Sequence, residues 1–139
     1  MTLDYISGFF DADGSITMSK NSKNDKYRTI KIDFTNTKLN ILLDIQKYLL
    51  DNYNLNLSIS TKPAKQLNHS IGYALSINSN QKCLQLCKLL KSIHPMKLHR
   101  INTILKYHNI VTSKNGKYSL SEINRKLAYE RLFFCSIFQ

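Results

Sequence analysis

Acidic residues are scarce in this chain: nine Asp and Glu stand against twenty Lys and Arg in 139 residues, a formal charge of +11. That deficit favours a polyanionic partner through counterion release and long-range steering. Long apolar runs are lacking too. Nothing approaches the roughly 18 consecutive apolar residues of a membrane span, so no membrane partner is expected. Cysteine is sparse, and its three copies are an odd number. Cys83 and Cys87 share an apolar helical stripe with Leu86 and Leu90, so they are expected as core thiols of a reducing compartment, not as a disulfide framework. The CxxC spacing of zinc sites is missing, which weighs against a metal centre built from Cys83, Cys87, His94 and His99.

An apolar segment starts at Leu3, so neither a signal nor a transit peptide is expected. Sixteen of the twenty basic residues are Lys, beside abundant Asn and Ile, a usage that points to an AT-rich genome. The expected location is an organelle (mitochondrion or chloroplast) if the gene is organellar, otherwise a bacterial or phage-infected cytoplasm. Secretion is not expected. A hydrophobic content of 42% over this length suits one domain spanning residues 1–139.

Residues 3–12 fit a short helix with Thr2 as N-cap, Asp4 in the first turn and Gly14 where the helix stops. The apolar period then changes to two. Ile16 and Met18 alternate with Ser15, Thr17 and Ser19, and Ile30, Ile32 and Phe34 alternate with Thr29, Lys31 and Asp33, so two strands flank a polar link near residues 20–26. Helical spacing returns at Leu39, Leu42, Leu43, Leu49, Leu50 and Tyr53. A second alternating pair follows, with Leu55, Leu57 and Ile59, then Ile71, Tyr73, Leu75 and Ile77, on its apolar side. Helices are expected over 80–92 and 96–110, a turn around Gly116, and a last helix opened by a Ser119/Glu122 capping box and carrying Ile123, Leu127 and Phe134. The order implies an α+β fold with a four-stranded antiparallel sheet, helices behind it and a bare polar face. That face carries Ser15, Thr17, Ser19, Thr29, Lys31, Asp33, Asn56, Ser58, Ser60, Ser70 and Ser76. With Lys20, Lys23, Lys26, Arg28 and Lys62 from the strand ends and links, these would suit the base edges and phosphates of a nucleic acid, an ordinary solvated sheet face being the alternative.

One side of the first helix is nearly bare: Gly8 and Ala12 lie four apart, with Ser7 beside them. Small residues at this spacing let a second helix approach closely, so Ser7, Gly8, Asp11 and Ala12 are the expected interface of a homodimer. A small-residue contact within one chain is the alternative. Asp11 and Asp13 sit at the helix C-terminus, where the macrodipole disfavours an acid by about 0.3 to 1 kcal/mol. Divalent cations on carboxylates and freed carbonyls would answer that cost. An EF-hand alignment fails, because it puts Phe9 at the first ligand position and Lys20 at the last.

The segment Ile6-Ser7-Gly8-Phe9-Phe10-Asp11-Ala12-Asp13-Gly14 resembles the nine-residue LAGLIDADG motif of homing endonucleases. It keeps the Gly, the Asp-Ala-Asp-Gly end and the apolar pair, and departs from the usual pattern at Ser7, Phe9 and Phe10. The αββαββ order with trailing helices resembles the same family over nearly the whole chain. The resemblance implies a saddle-shaped sheet straddling the major groove of double-stranded DNA, and paired motif helices presenting their acidic ends to the scissile phosphates. A single motif implies a homodimer and a pseudo-palindromic target. It also implies Mg²⁺, replaceable for binding by Mn²⁺ or Ca²⁺, with no small-molecule cofactor.

Carried onto this sequence, Asp13 matches the metal-binding carboxylate, Ala12 the residue whose carbonyl also meets metal, and Asp11 the more structural first acid. The family's water-positioning amide falls on Asn36, with Lys38 as rival and a helix N-cap as the plain alternative for Asn36. Its late lysine falls on Lys97, with Arg100 as rival and a simple phosphate contact as the alternative for either. The implied function is metal-dependent, site-specific cleavage of both DNA strands by an intron-encoded enzyme. An RNA maturase or a non-catalytic DNA-binding protein on the same scaffold is the alternative.

Overall fold

Thr2 starts the first helix as its spacing implies, its Oγ1 accepting from the backbone N–H of Tyr5 at 3.1 Å. The computed structural model describes residues 1–20, 28–63, 70–112 and 118–135. Along the chain run α1 (Leu3–Asp13), β1 (Gly14–Ser19), β2 (Thr29–Asn36), α2 (Leu39–Tyr53), β3 (Ser58–Lys62), β4 (Gly72–Ile77), α3 (Asn80–Leu89), α4 (Pro95–Val111) and α5 (Leu120–Phe133). The strands form one antiparallel sheet in the order β1-β2-β4-β3, and the fold is the α+β arrangement expected.

Alternation decides the two faces of the sheet. Ile16, Met18, Ile30, Ile32, Phe34, Leu75 and Ile77 are buried against the helices, meeting Ile6 and Phe10 of α1, Leu42, Ile45 and Leu49 of α2, and Phe133 of α5. Each such side chain taken from water stabilises the fold by about 1.5 to 3 kcal/mol. Cys83 and Cys87 lie in the same core, and burial pushes both thiols up to about 12. They are packing residues.

Several boundaries and faces differ from the sequence pattern. Leu55 and Leu57 are buried but precede β3. Asn54 adopts the left-handed conformation at φ 53°, the Leu55 N–H returns to the Leu49 carbonyl at 3.2 Å, and the Leu57 carbonyl accepts from Gln46 at 2.8 Å. Their backbone groups thus close the end of α2 before β4 can pair with them. The buried stripe of α2 runs through Leu42, Ile45 and Leu49, leaving Leu43 and Leu50 exposed. Ile71 lies ahead of β4 and is exposed.

Helix α3 stops at Leu89, short of residue 92, because the following backbone binds α1: Lys91 N–H donates to Ser7 Oγ at 2.9 Å and Ile93 N–H to Asp11 Oδ2 at 2.7 Å. Helix α5 opens on the expected capping box. Its buried residues are Lys126, Tyr129 and Phe133, whereas Leu127 and Phe134 are exposed and Ile123 is half-buried. Tertiary partners set this rotation: Tyr129 reaches His108 at 3.0 Å, and the Arg100 guanidinium stacks 4.9 Å from the Phe133 ring. The expected turn around Gly116 lies outside the described residues.

Candidate active site

Asp13 is the last residue of α1 and Gly14 the first of β1, with no loop between them. Gly14 is extended, at φ −96° and ψ 164°, and its N–H caps the helix on the Phe10 carbonyl. Its own φ requires no glycine. Close approach does: a Cβ here would lie 2.7 Å from the Phe10 carbonyl oxygen and 2.9 Å from Phe10 Cα. The missing side chain therefore lets a helix run straight into a strand, placing the carboxylate of Asp13 at the end of the sheet.

Three elements converge on that end. Asn36, the last residue of β2, donates from Nδ2 to Asp13 Oδ2 at 3.2 Å, and Thr35 donates from Oγ1 to the Asp13 carbonyl at 3.2 Å. From the first turn of α4, Lys97 Nζ donates to the carbonyls of Phe10 at 2.9 Å and Asp11 at 2.8 Å, 5.3 Å from the Phe10 ring centre. The ammonium thus sits on the negative end of α1. Burial lowers the Lys97 pKa, while the charges of Asp11 and Asp13 oppose that shift. Part of the compensation expected from an external cation is therefore supplied within the chain.

The rivals separate cleanly. Arg100 instead reaches the Ile16 carbonyl at 2.8 Å and packs beside the rings of Phe133 and Phe134, 4.9 and 5.5 Å from their centres. Lys38 is exposed and occupies the N-cap position of α2, its N–H donating to Asn36 Oδ1 at 2.8 Å. Asn36 is therefore not the N-cap of α2: its oxygen closes a local turn ahead of the helix, and its amide N–H₂ contacts Asp13.

Asp13, Thr35, Asn36, Thr37, Lys62, Gly72 and Tyr73 line an open cleft of about 340 Å³. Sequence periodicity assigned Tyr73 to the core and gave Thr35 no role. Tyr73 is half-buried and pairs in register with Asn36. Extending the alternation of Thr29, Lys31 and Asp33 by one step would have found Thr35. Larger hollows between α4 and α5 share no residue with this cleft.

The expected interface residues divide. Gly8 and Ala12 are exposed, and a Cβ on Gly8 would meet nothing within 4 Å. Ser7, expected beside them, is only 3% exposed and engages Lys91 within the chain. Asp11 turns the same way, its carboxylate accepting from Ser92 Oγ and the Ile93 N–H. A serine on the buried edge of α1 needs a donor or acceptor nearby, and the 90–93 segment supplies it.

Ser15, Thr17, Ser19, Thr29, Lys31, Asp33, Ser58, Ser60, Lys62 and Ser76 share the open face of the sheet by register. Asn56 and Ser70 are exposed just ahead of β3 and β4, and Lys20 is exposed after β1. Arg28 departs from the expectation. It shares the parity of Ile30, so its guanidinium lies on the helix side, donating to the Met18 carbonyl at 3.3 Å and packing 5.2 Å from the Phe134 ring centre. Lys23 and Lys26 lie outside the described residues.

Asp13 is exposed, and its Oδ1 takes no hydrogen bond among the described residues. Carboxylate and carbonyl oxygens suit hard cations such as Mg²⁺. No cluster of three His, Cys, Asp or Glu that could hold a metal occurs among the described residues. The donor set fits a cation completed by phosphate oxygens, water and a second carboxylate from outside the chain.

The family model of the LAGLIDADG-like domain matches residues 1–91. Among curated proteins, none matches the chain by sequence. Of the solved structures, the archaeal intron-encoded homing endonuclease I-Vdi141I in complex with DNA superposes with a TM-score of 0.53 at 17% identity, over 94% of this chain and 95% of that one. The group I intron-encoded homing endonuclease I-CeuI, also with DNA, gives 0.63 at 16% identity over 94% and 65%. The meganuclease I-SmaMI on uncleavable DNA gives 0.68 at 14% identity over 93%, and there the chain spans 43% of the partner structure. At these identities the likeness is one of fold.

Proposed function

The chain belongs to the LAGLIDADG-like domain family, and from that premise we propose that it is a site-specific endonuclease cutting both strands of double-stranded DNA as a homodimer. The observation that carries this reading is the meeting of Asp13, Asn36 and Lys97 where α1 enters the sheet. Around it lies a polar sheet face on a chain of charge +11, suited to phosphates and base edges.

Each residue has a defined task in hydrolysis. Asp13 offers its free carboxylate oxygen, and the carbonyl of the preceding Ala12 would be the second donor. Asp13 and the Ala12 carbonyl would hold a Mg²⁺ ion, with Mn²⁺ or Ca²⁺ as substitutes in binding, and the ion would supply water activation and neutralisation of developing charge. Asn36 holds Asp13 and orients water beside it. Lys97 places positive charge at the developing phosphate charge. Water oxygen joins phosphorus as the bond to the leaving oxygen breaks; solvent takes the proton of the attacking water and returns one to the leaving oxygen.

Support for the homodimer comes from the exposed Gly8 and Ala12, over which a second α1 would bring its own Asp13 alongside. A pseudo-palindromic target goes with that dimer, and an intron as the source of the gene is part of the same proposal. A supercoiled plasmid library carrying random inserts, incubated with Mg²⁺, tests the reading. Wild type is expected to linearise a subset of inserts and Asp13→Asn none. Full cleavage by Asp13→Asn overturns the assignment, and DNA shifted without nicking by wild type overturns the nuclease reading.

A further inference from the structure

The strands present one acid to the open face. Asp33 sits in a row that crosses the whole sheet, with Ser15 opposite it on β1, Ser76 on β4 and Ser58 beyond on β3. Ser15 Oγ donates to Asp33 Oδ1 at 2.6 Å, which fixes the carboxylate. Asp33 Oδ2 takes no hydrogen bond, and the carboxylate has no ion-pair partner, among the described residues. We propose that Asp33, oriented by Ser15, accepts a hydrogen bond from the exocyclic amine of a cytosine, making it a specificity-determining residue at one position of each half-site.

This rests on the DNA-cleaving reading above, and the argument is one of complementarity. A carboxylate on a face that meets phosphates is repulsive unless a donor answers it. In the major groove, guanine presents the acceptors N7 and O6, and thymine presents O4 and a methyl group. The donor edges are the cytosine N4 and adenine N6 amines. Adenine places the N7 acceptor beside its amine, and a carboxylate has no hydrogen to give it. Cytosine alone offers a donor without that penalty. The neighbouring rows, Thr17 with Lys31 and Thr35 with Ala74 and Ser60, hold no second acid, so the preference belongs to one base step.

Selection of bound duplexes from a randomised library in Ca²⁺, with wild type, Asp33→Asn and Ser15→Ala, tests the proposal. Wild type is expected to select cytosine at one position, repeated across the dyad. Asp33→Asn should lose that preference and move toward adenine, whose N6 and N7 suit an amide. Exchanging this C·G pair for T·A should weaken wild type about tenfold and Asp33→Asn hardly at all. Ser15→Ala should blunt the preference without moving it to another base. An unchanged base profile in Asp33→Asn overturns the proposal and leaves DNA binding standing. A wild type that binds no duplex overturns both.

Discussion

Asn36 holds Asp13 through Nδ2 at 3.2 Å while its Oδ1 accepts from the Lys38 N–H at 2.8 Å. The two contacts come apart in substitutions. Asn36→Asp keeps an acceptor for Lys38 but sets a second carboxylate against Asp13 in place of the donor, so melting should fall modestly while plasmid cleavage falls about 10- to 100-fold. Asn36→Ala loses both, and should also cost about 0.5 to 1.5 kcal/mol in denaturant unfolding. Equal cleavage by Asn36→Asp and wild type would remove Asn36 from the site.

Lys97 gives a pH dependence with a definite sign. Burial lowers its pKa against the pull of Asp11 and Asp13, so the cation is lost at lower pH than from a free lysine. Cleavage should decline as pH rises on the alkaline side. In Lys97→Arg, which stays protonated, that limb should flatten whatever the absolute rate. Lys97→Met should lose on the order of 100-fold at neutral pH. An alkaline limb identical in Lys97→Arg would show that another group titrates.

Gly14→Ala tests the helix-to-strand junction. Its Cβ would press on the Phe10 backbone at 2.7 to 2.9 Å, and relieving that contact should cost about 1 to 3 kcal/mol. Cleavage should fall further than the loss of folded protein explains, because Asp13 moves with the junction. Unfolding in urea and cleavage at a temperature where the variant is folded measure the two effects.

Gly8→Ala should raise the stability of the isolated protomer by about 0.5 to 1 kcal/mol, since a mid-helix glycine costs that much and the new Cβ meets nothing within the chain. The same methyl group should weaken the proposed dimer, and Gly8→Leu should abolish it. Sedimentation and melting over a dilution series measure both. A Gly8→Leu variant that still sediments as a dimer would place the interface elsewhere.

His108 is buried against Tyr129, and burial with the charge of Lys126 lowers its pKa to about 4. Its neutral form is the folded one, so the stability it lends is complete above about 6.5 and is lost as pH falls toward 4. A shift of this size corresponds to on the order of 3 kcal/mol. Replacing His108 with Gln should flatten the acid limb of stability between those values in urea unfolding at stepped pH.

Local patterns made the first helix, the sheet alternation and the place of Asp13 at the end of α1 legible in the sequence, because each depends on neighbours within a few residues. Arg28 was legible in principle, since its parity with Ile30 turns it from the open face. Ser7 and Asp11 were not, because their partners are Lys91, Ser92 and Ile93. Nor was the buried face of α5. Periodicity favoured Ile123, Leu127 and Phe134, but the pairings of Tyr129 with His108 and of Phe133 with Arg100 turn the helix by a fraction of a turn. Between Lys97 and Arg100, three residues apart on α4, only the tertiary fold could choose.

The loopless step from Asp13 to Gly14 gives the open face a fixed origin. With no hinge between them, Ser15, Thr17 and Ser19 stand at set intervals of about 6.6 Å beyond the Asp13 carboxylate. On the proposed reading, substitutions along the open face would retune which bases are read without moving those bases relative to the carboxylate. A redesigned reading surface on this scaffold would inherit that spacing unaltered.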